Sequence, residues 1–223
     1  MTRQMLSLHW KAARWGLLPW VVVAFGFPFM VVSRLQPAHV DGSEALWQPL
    51  LSLGSLLPLV AAAAGATVAL TAWSWDHRQG HVYALALPVT RSRYASTKFL
   101  VGLLLAAIPA VALAGGGMLA AGTVELPELV RAYPAALALK FYLASITTYG
   151  VLFALAAGTM RTAVVVLSAA VGTIFFGDPL LQLAAGVIPS LEGIRMSDLL
   201  VDAMTRPWSP FQVFFGNWFL FDV

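Results

Sequence analysis

The sequence predicts an all-α, polytopic membrane protein, a helical bundle with five to six spans in one transmembrane domain covering residues 1–223. Hydrophobic residues make up 60% of the chain, charged residues only 10%, and the mean hydropathy is +0.81. Soluble domains carry about 25% charged residues. The apolar residues also fall into long runs, and a helix needs about 20 such residues to cross a bilayer core of about 30 Å. The length of the chain is therefore better counted in membrane spans than in soluble domains.

The apolar runs define the order of the predicted spans. They are residues 16–33, 50–73, 99–121, 141–160 and 163–177. The fifth run meets Asp178 and Pro179, and we expect it to end there, because proline lacks a backbone donor and disfavours helix in the residue before it. In the following region, Ser197 is expected to cap a short helix. Residues 210–221 would cover only about 18 Å as a helix, an incomplete or short sixth span.

The charges predict the orientation of these spans. Lys- and Arg-rich loops remain cytoplasmic. The basic residues before the first span, between the second and third, and between the fourth and fifth place those segments and the N-terminus inside. Eight of the ten acids fall on the opposite side: Asp41, Glu44, Glu125, Glu128, Asp178, Glu192, Asp198 and Asp202. The net charge of +3 therefore comes from basic residues at the predicted membrane borders. They do not form one solvated basic patch that would indicate nucleic-acid binding.

The polar interval after the second span has a pattern of its own. Residues 79–87, with the sequence QGHVYALAL, have the composition of a short helix that Pro88 would stop. A helix of this kind can lie on the inner membrane surface. The pattern alone leaves two alternatives open, an interfacial loop or a docking element for a partner.

The segment WDHRQGHVYALALPVTRSRYASTKFLVG resembles the region after the second membrane helix of type-2 ABC transporter permeases, the membrane subunits of many bacterial exporters. In that family an acid and a glycine precede a short coupling helix, a proline, a small residue and an arginine follow it, and a lysine opens the third helix. The matching positions are Asp76, Gly80, Pro88, Thr90, Arg91 and Lys98. The N-terminus, residues 1–15, is similar to the family's amphipathic elbow helix, and residues 180–204 resemble its outer re-entrant helices.

The resemblance implies a function and a set of partners. The chain would be the permease subunit of an exporter in the bacterial cytoplasmic (inner) membrane, paired with a second copy or a related permease. Two P-loop ATPase subunits would bind ATP and Mg²⁺, and this chain would bind neither. Residues 79–87 would be the coupling helix, with Tyr83 and Leu85 as docking contacts. Arg91 would tie this helix to the cytoplasmic face, with Asp76 as its expected partner.

The resemblance also has a departure at the C-terminal end. Such permeases have six spans, and residues 210–221 are too short for the closing helix. Two alternatives follow: the sequence stops inside the sixth span, or the chain is a shortened member with an external C-terminus.

Other residues admit both functional and structural interpretations. Ser145, Thr148 and Tyr149 in the fourth span are candidates for a substrate path, although hydroxyls in membranes more often bond neighbouring helices or their own backbone. The small residues Ala61, Gly65 and Ala69 recur every fourth position and predict close helix packing. His77 and His81 have the spacing of a metal pair but lack the glutamate of HExxH, so no metal site is predicted.

Intrinsic chemistry is not indicated by the sequence. The chain has no GxxxxGK[ST] phosphate loop and no GxSxG elbow, and no carboxylate pair falls within a predicted span. We therefore expect no catalytic residues and no enzyme activity in this chain. The alternatives to an ABC permease are an autonomous secondary carrier or channel, and a non-catalytic membrane scaffold subunit. Carriers usually contain internal repeats or charges near the midplane, which the sequence does not show.

Overall fold

The computed structural model describes residues 2–35, 54–78, 90–123, 131–158, 160–191 and 193–222. These residues are mostly helical. The elements are α1 (Thr2–Leu35), α2 (Leu56–Arg78), α3 (Arg91–Ala121), β1 (Arg131–Ala132), α4 (Pro134–Ala156), α5 (Met160–Ala185), a 3-10 helix (Pro189–Leu191), α6 (Met196–Thr205), a second 3-10 helix (Pro210–Phe214) and β2 (Phe221–Asp222).

Five of these helices are long and apolar enough to cross a membrane. The qualifying stretches are His9–Ser33, Leu56–Ser74, Arg91–Ala121, Pro134–Ala156 and Val164–Ala185. Each belongs to one of α1 to α5, in the order that the apolar runs predicted. The prediction of a helical membrane protein with at least five potential spans is confirmed at this level.

The helix α1 differs from its predicted division into an elbow helix at 1–15 and a span at 16–33. It is one continuous helix of 34 residues. Gly16 is the only weak helix former near the expected junction, and one glycine costs about 1 kcal/mol without breaking a helix. Pro19 and Pro28 also lie inside α1. Membrane helices tolerate prolines because neighbouring groups can satisfy the freed carbonyls.

The helices α2, α3 and α4 each extend beyond one end of the apolar run that predicted them. α2 spans Leu56–Arg78 where 50–73 was expected, and residues 50–53 lie outside the described residues. α3 begins at Arg91, not residue 99, and α4 spans Pro134–Ala156 where 141–160 was expected. The physical reason is that hydropathy marks the part of a helix inside the hydrocarbon, whereas intrahelical hydrogen bonds continue into the polar layer. Arg and Lys are good helix formers there.

Residues 1–153 and 216–223 form one compact unit, in which α1 packs against α2 and α3. The indole nitrogen of Trp20 donates to the hydroxyl of Thr67 at 2.9 Å, which joins α1 to α2. Small residues permit the closest contacts. Ala61, Gly65 and Ala69 are all buried, and a side chain at Gly65 would meet the backbone carbonyl of Ser145 in α4. The predicted close packing at these positions is confirmed.

Residues 154–215 form a second compact unit. α5 does not end at Gly177 as predicted but continues through Asp178 and Pro179 to Ala185. A proline within a helix removes one donor, and here the helix continues on the bonds that remain. The Asp178 carboxylate accepts a hydrogen bond at 3.0 Å from the backbone N–H of Ser197, in the first turn of α6. Arg195, and not Ser197, occupies the N-cap position of α6.

The predicted outer region 180–204 therefore comprises the end of α5, a 3-10 helix and most of α6. The presence of a short helix there is confirmed. Its re-entry into a membrane stays a prediction.

Residues 210–221 do not form the incomplete or short sixth span that the sequence predicted. They begin with the 3-10 helix Pro210–Phe214, and the chain is extended by Phe221, where β2 pairs antiparallel with β1. The Lys140 ammonium, near the start of α4, donates to the carbonyl of Asn217 at 2.9 Å and lies 4.9 Å from the centre of the Trp218 ring. These contacts attach Asn217 and Trp218 to α4, and Trp218 and Leu220 are buried in the first unit.

The contact between α1 and α3 gives a test of helix packing. A side chain at Gly116 would meet the backbone carbonyl of Phe25, whereas one at the adjacent Gly115 would meet nothing within 4 Å. We expect Gly116→Ala to lower the free energy of unfolding by about 1–3 kcal/mol, because two backbones must separate. Denaturation in detergent micelles measures this change.

The matched control for this test is Gly115→Ala. It should be neutral or stabilising by up to about 1 kcal/mol, since alanine is the better helix former. Equal effects of the two substitutions would contradict the close contact at Gly116.

Candidate functional site

The strongest candidate site is a buried ion pair between the end of α2 and the start of α3. The Lys98 ammonium donates a hydrogen bond to one oxygen of the Asp76 carboxylate, and the side chains are 4% and 1% exposed. The hydroxyl of Tyr94 donates to both oxygens of the same carboxylate, at 3.1 Å each. The Lys98 ammonium also lies 4.4 Å from the centre of the Trp73 ring. We call Trp73, Asp76, Tyr94 and Lys98 the Asp76 cluster.

Helical spacing explains how two short stretches supply this cluster. Trp73 and Asp76 are three residues apart on α2, while Tyr94 and Lys98 are four residues apart on α3, and both spacings place side chains on one face of a helix. The two faces meet where the helices pack together. The carboxylate therefore receives donors from the ammonium and the phenol at once, and two aromatic rings contact the cation.

The Asp76 cluster is stabilising only if both charges and their hydrogen bonds are present. Removing two charges from water costs several kcal/mol per ion, and their attraction offsets this only with good geometry and additional hydrogen bonds. The Tyr94 hydroxyl and the Trp73 ring supply such contacts. Loss of either charge would leave the other buried without its counter-ion, so the cluster holds α2 and α3 together as long as both are present.

Aromatic residues connect the Asp76 cluster to α4. The hydroxyl of Tyr149 donates to the carbonyl of Phe99 at 3.2 Å, and the two rings stack with centroids 5.3 Å apart. Phe153 contacts both rings and also Trp73, with centroid distances of 5.4, 5.4 and 5.1 Å. Gly102 leaves the space that the Tyr149 hydroxyl occupies. α2, α3 and α4 thus meet at one aromatic contact directly behind the ion pair.

The structure brings together two of the seven predicted coupling residues, Asp76 and Lys98. The expected partnership of Asp76 with Arg91 is corrected, because Lys98 and Tyr94 occupy the carboxylate. Arg91 is exposed in the first turn of α3. It takes part in neither of the ion pairs formed by the described residues. Gly80, Tyr83, Leu85 and Pro88, with the predicted coupling helix 79–87, lie outside the described residues.

Two of the three predicted substrate-path residues are buried, and the third, Thr148, is half-buried. Ser145 and Tyr149 are 0% exposed. The hydroxyl of Thr148 donates to the carbonyl of Ala144 at 3.3 Å, within its own helix. The hydrogen bonds of Thr148 and Tyr149 favour the structural interpretation of these two residues. The buried hydroxyl of Ser145 makes no hydrogen bond with the described residues. Among the described residues no group of three metal-ligating side chains occurs, and the side chain of His77 and the whole of His81 lie outside them.

Sequence reasoning missed Tyr94 and Trp73. The signal was present, because Tyr94 precedes Lys98 by one helical turn and Trp73 precedes Asp76 by three residues. Recognising it required knowing that α3 begins at Arg91, since only then do Tyr94 and Lys98 share a helical face.

Comparison of the chain with protein-family models, curated proteins and solved structures gave no match.

The buried ion pair predicts strong non-additivity of substitutions. Asp76→Ala and Lys98→Met should each lower the free energy of unfolding by about 3–5 kcal/mol, because each leaves one buried charge without its partner. The double variant should lose clearly less than the sum of the two, because no isolated charge remains. Denaturant titration of all three variants in micelles gives the coupling energy.

The control substitution is Arg93→Met, which removes an exposed cation from the same end of α3. It should change stability by less than about 0.5 kcal/mol. Additive effects of Asp76→Ala and Lys98→Met would show that the pair is not coupled.

Proposed function

We propose that this chain is the membrane-spanning permease subunit of an ATP-binding-cassette exporter of the type-2 class. It would move substrate across the bacterial cytoplasmic membrane with energy from a separate P-loop ATPase. The observation that carries the proposal is the ion pair of Asp76 and Lys98. Asp76 is the acid before the proposed coupling helix 79–87, and Lys98 is the lysine after it. Their contact joins the two helices that flank this segment. The two residues that the family pattern singles out on either side of the proposed coupling helix are thus the two that form the ion pair.

The ion pair suggests how force on the coupling helix would be transmitted. ATPase subunits that approach each other on binding ATP would push on residues 79–87. Both ends of this segment are joined through Asp76 and Lys98, so α2 and α3 move together instead of separating. α1 packs on both helices, and Tyr149 connects α4 to the start of α3. A push at one segment thus becomes a rigid-body rotation of several spans, a two-state change biased by nucleotide.

The assembly follows from this role. Two copies of the chain, or one copy with a related permease, would bind two ATPase subunits that hold ATP and Mg²⁺. The N-terminus and the coupling helix would lie on the cytoplasmic side, as the distribution of basic residues predicts. Arg91, exposed at the same end of α3, is available to the ATPase surface. An apolar interior with few fixed charges favours a lipophilic or amphipathic cargo.

Reconstitution tests the requirement for a second subunit. The chain should be purified with the P-loop ATPase encoded by a neighbouring reading frame and placed in liposomes containing a lipophilic fluorescent dye. We expect dye movement that requires both ATP and the ATPase, and ATP hydrolysis that increases when the permease is present. Dye movement by the chain alone without nucleotide would instead indicate an autonomous carrier or channel. Stable assembly with no transport of any lipophilic probe would indicate a scaffold subunit.

A charge in the proposed coupling helix tests the docking surface. Leu85→Asp should reduce ATP-dependent transport and recovery of the complex at least tenfold, because a carboxylate would be buried against the ATPase without a partner. Ser92→Asp is the matched control. It adds the same charge at an exposed position in the first turn of α3, where a helix tolerates an anion. Equal transport by the two variants would exclude residues 79–87 from docking.

A further inference from the structure

A groove of about 300 Å³ lies between α1 and α3. Its floor is apolar and includes Leu17, Leu18 and Ile108, while Trp10, Arg14 and Trp15 surround one end. The volume is at the lower limit of small-molecule sites, which are also mostly apolar with a few polar groups placed at one side. The groove is separate from the Asp76 cluster, with which it shares no residue.

The contacts of α1 fix the depth of the groove. Leu17 and Ile108 line it together, and eight residues further along each helix Phe25 lies against Gly116, so the two helices run in the same direction. The apolar stretch of α1 ends at Ser33. The stretch begins at His9, so Trp10, Arg14 and Trp15 lie in its first two turns, and the about 20 residues that cross a bilayer core leave this end near the membrane border. The groove therefore begins at a membrane border and continues into the hydrocarbon layer.

The open end of the groove has the chemistry of that border. Trp10 and Trp15 are 43% and 72% exposed, as expected of tryptophans in an interfacial belt. The guanidinium of Arg14 lies 5.4 Å from the centre of the Trp15 ring. Among the described residues the ion pairs are those of Asp76 with Lys98 and Asp202 with Arg206, and neither involves Arg14. An exposed cation thus stands at the mouth of an apolar groove.

We propose that this groove is a binding site for one anionic phospholipid. Its phosphate would be held by Arg14, and one acyl chain would lie along Leu18 and Ile108. A planar guanidinium binds phosphate oxygens in a bidentate manner. A phospholipid combines an anion with a long apolar chain and is already present at this depth. The distribution of basic residues assigns this border to the cytoplasmic leaflet, where anionic lipids concentrate. The site does not depend on the transport function proposed above.

Native mass spectrometry of the full chain tests the site. The protein, purified in detergent, would be given equal amounts of phosphatidylglycerol and phosphatidylcholine with identical acyl chains. We expect one phosphatidylglycerol retained per chain, favoured over phosphatidylcholine by roughly five- to tenfold, the range for one basic residue near a net anionic headgroup. The phosphate of phosphatidylcholine is offset by its own choline cation, so Arg14 gains less from it. Arg14→Gln should reduce this preference to below about twofold.

Two further variants separate a built site from general attraction. Lys11→Gln removes the same charge from an exposed position of α1 outside the groove and should leave the preference within about twofold of the original. Ile108→Trp fills the groove and should reduce retention of both lipids, with Leu18→Phe as a milder alternative if the first variant aggregates. The proposal is overturned if Lys11→Gln and Arg14→Gln act equally, if both lipids are retained equally by the unmodified chain, or if filling the groove changes nothing.

Discussion

The arrangement of the helices depends on a buried charge pair that would be unfavourable if it were incomplete. Asp76 and Lys98 lie at the ends of two helices whose connection passes through residues 79–89, and each is almost fully removed from water. Burial of a single charge is so costly that the two helices must remain in register for either residue to be tolerated. The pair therefore does more than hold α2 against α3. It specifies which turn of one helix faces which turn of the other, and thereby sets the positions of Tyr94, Trp73 and the aromatic residues behind them.

Beyond the ion pair, close backbone contact takes the place that hydrophobic burial has in soluble proteins. Apolar side chains gain little by leaving lipid for the protein interior, so helix association depends on van der Waals contact and on hydrogen bonds between helices. The chain supplies both. Gly65 and Gly116 permit backbone contacts with α4 and α1, while Trp20 and Tyr149 make hydrogen bonds to neighbouring helices. Large apolar side chains such as Leu59, Leu104 and Val111 remain exposed, as they would toward lipid.

The sequence predicted the existence and order of the five long helices, because long apolar runs have few alternatives to a membrane helix. It also identified Asp76 and Lys98 through a family pattern, and the small-residue contacts through their spacing. It did not predict helix ends, since Arg91 to Thr97 are polar and continue α3 on hydrogen bonds that hydropathy does not measure. The partner of Asp76 was missed for the same reason. If the interval is a loop, Asp76 is simply the acid nearest in sequence to Arg91, whereas the helix places Lys98 opposite this acid. Pro179 misled in the other direction, because a local rule for soluble helices was applied to an apolar helix that continues beyond it.

The short pairing of Phe221–Asp222 with Arg131–Ala132 has a consequence for biosynthesis. Residues 216–223 belong to the same compact unit as residues 1–153, although the whole of the second unit lies between them in the chain. A ribosome therefore completes residues 154–215 before the last part of the first unit has been made. Domains generally fold as units during synthesis, and contacts between distant residues form late because a long loop must first close. The packing of Trp218 and Leu220, both buried, is thus the final step in completing the first unit. Until that step the start of α4, with Lys140, lacks its contacts with Asn217 and Trp218.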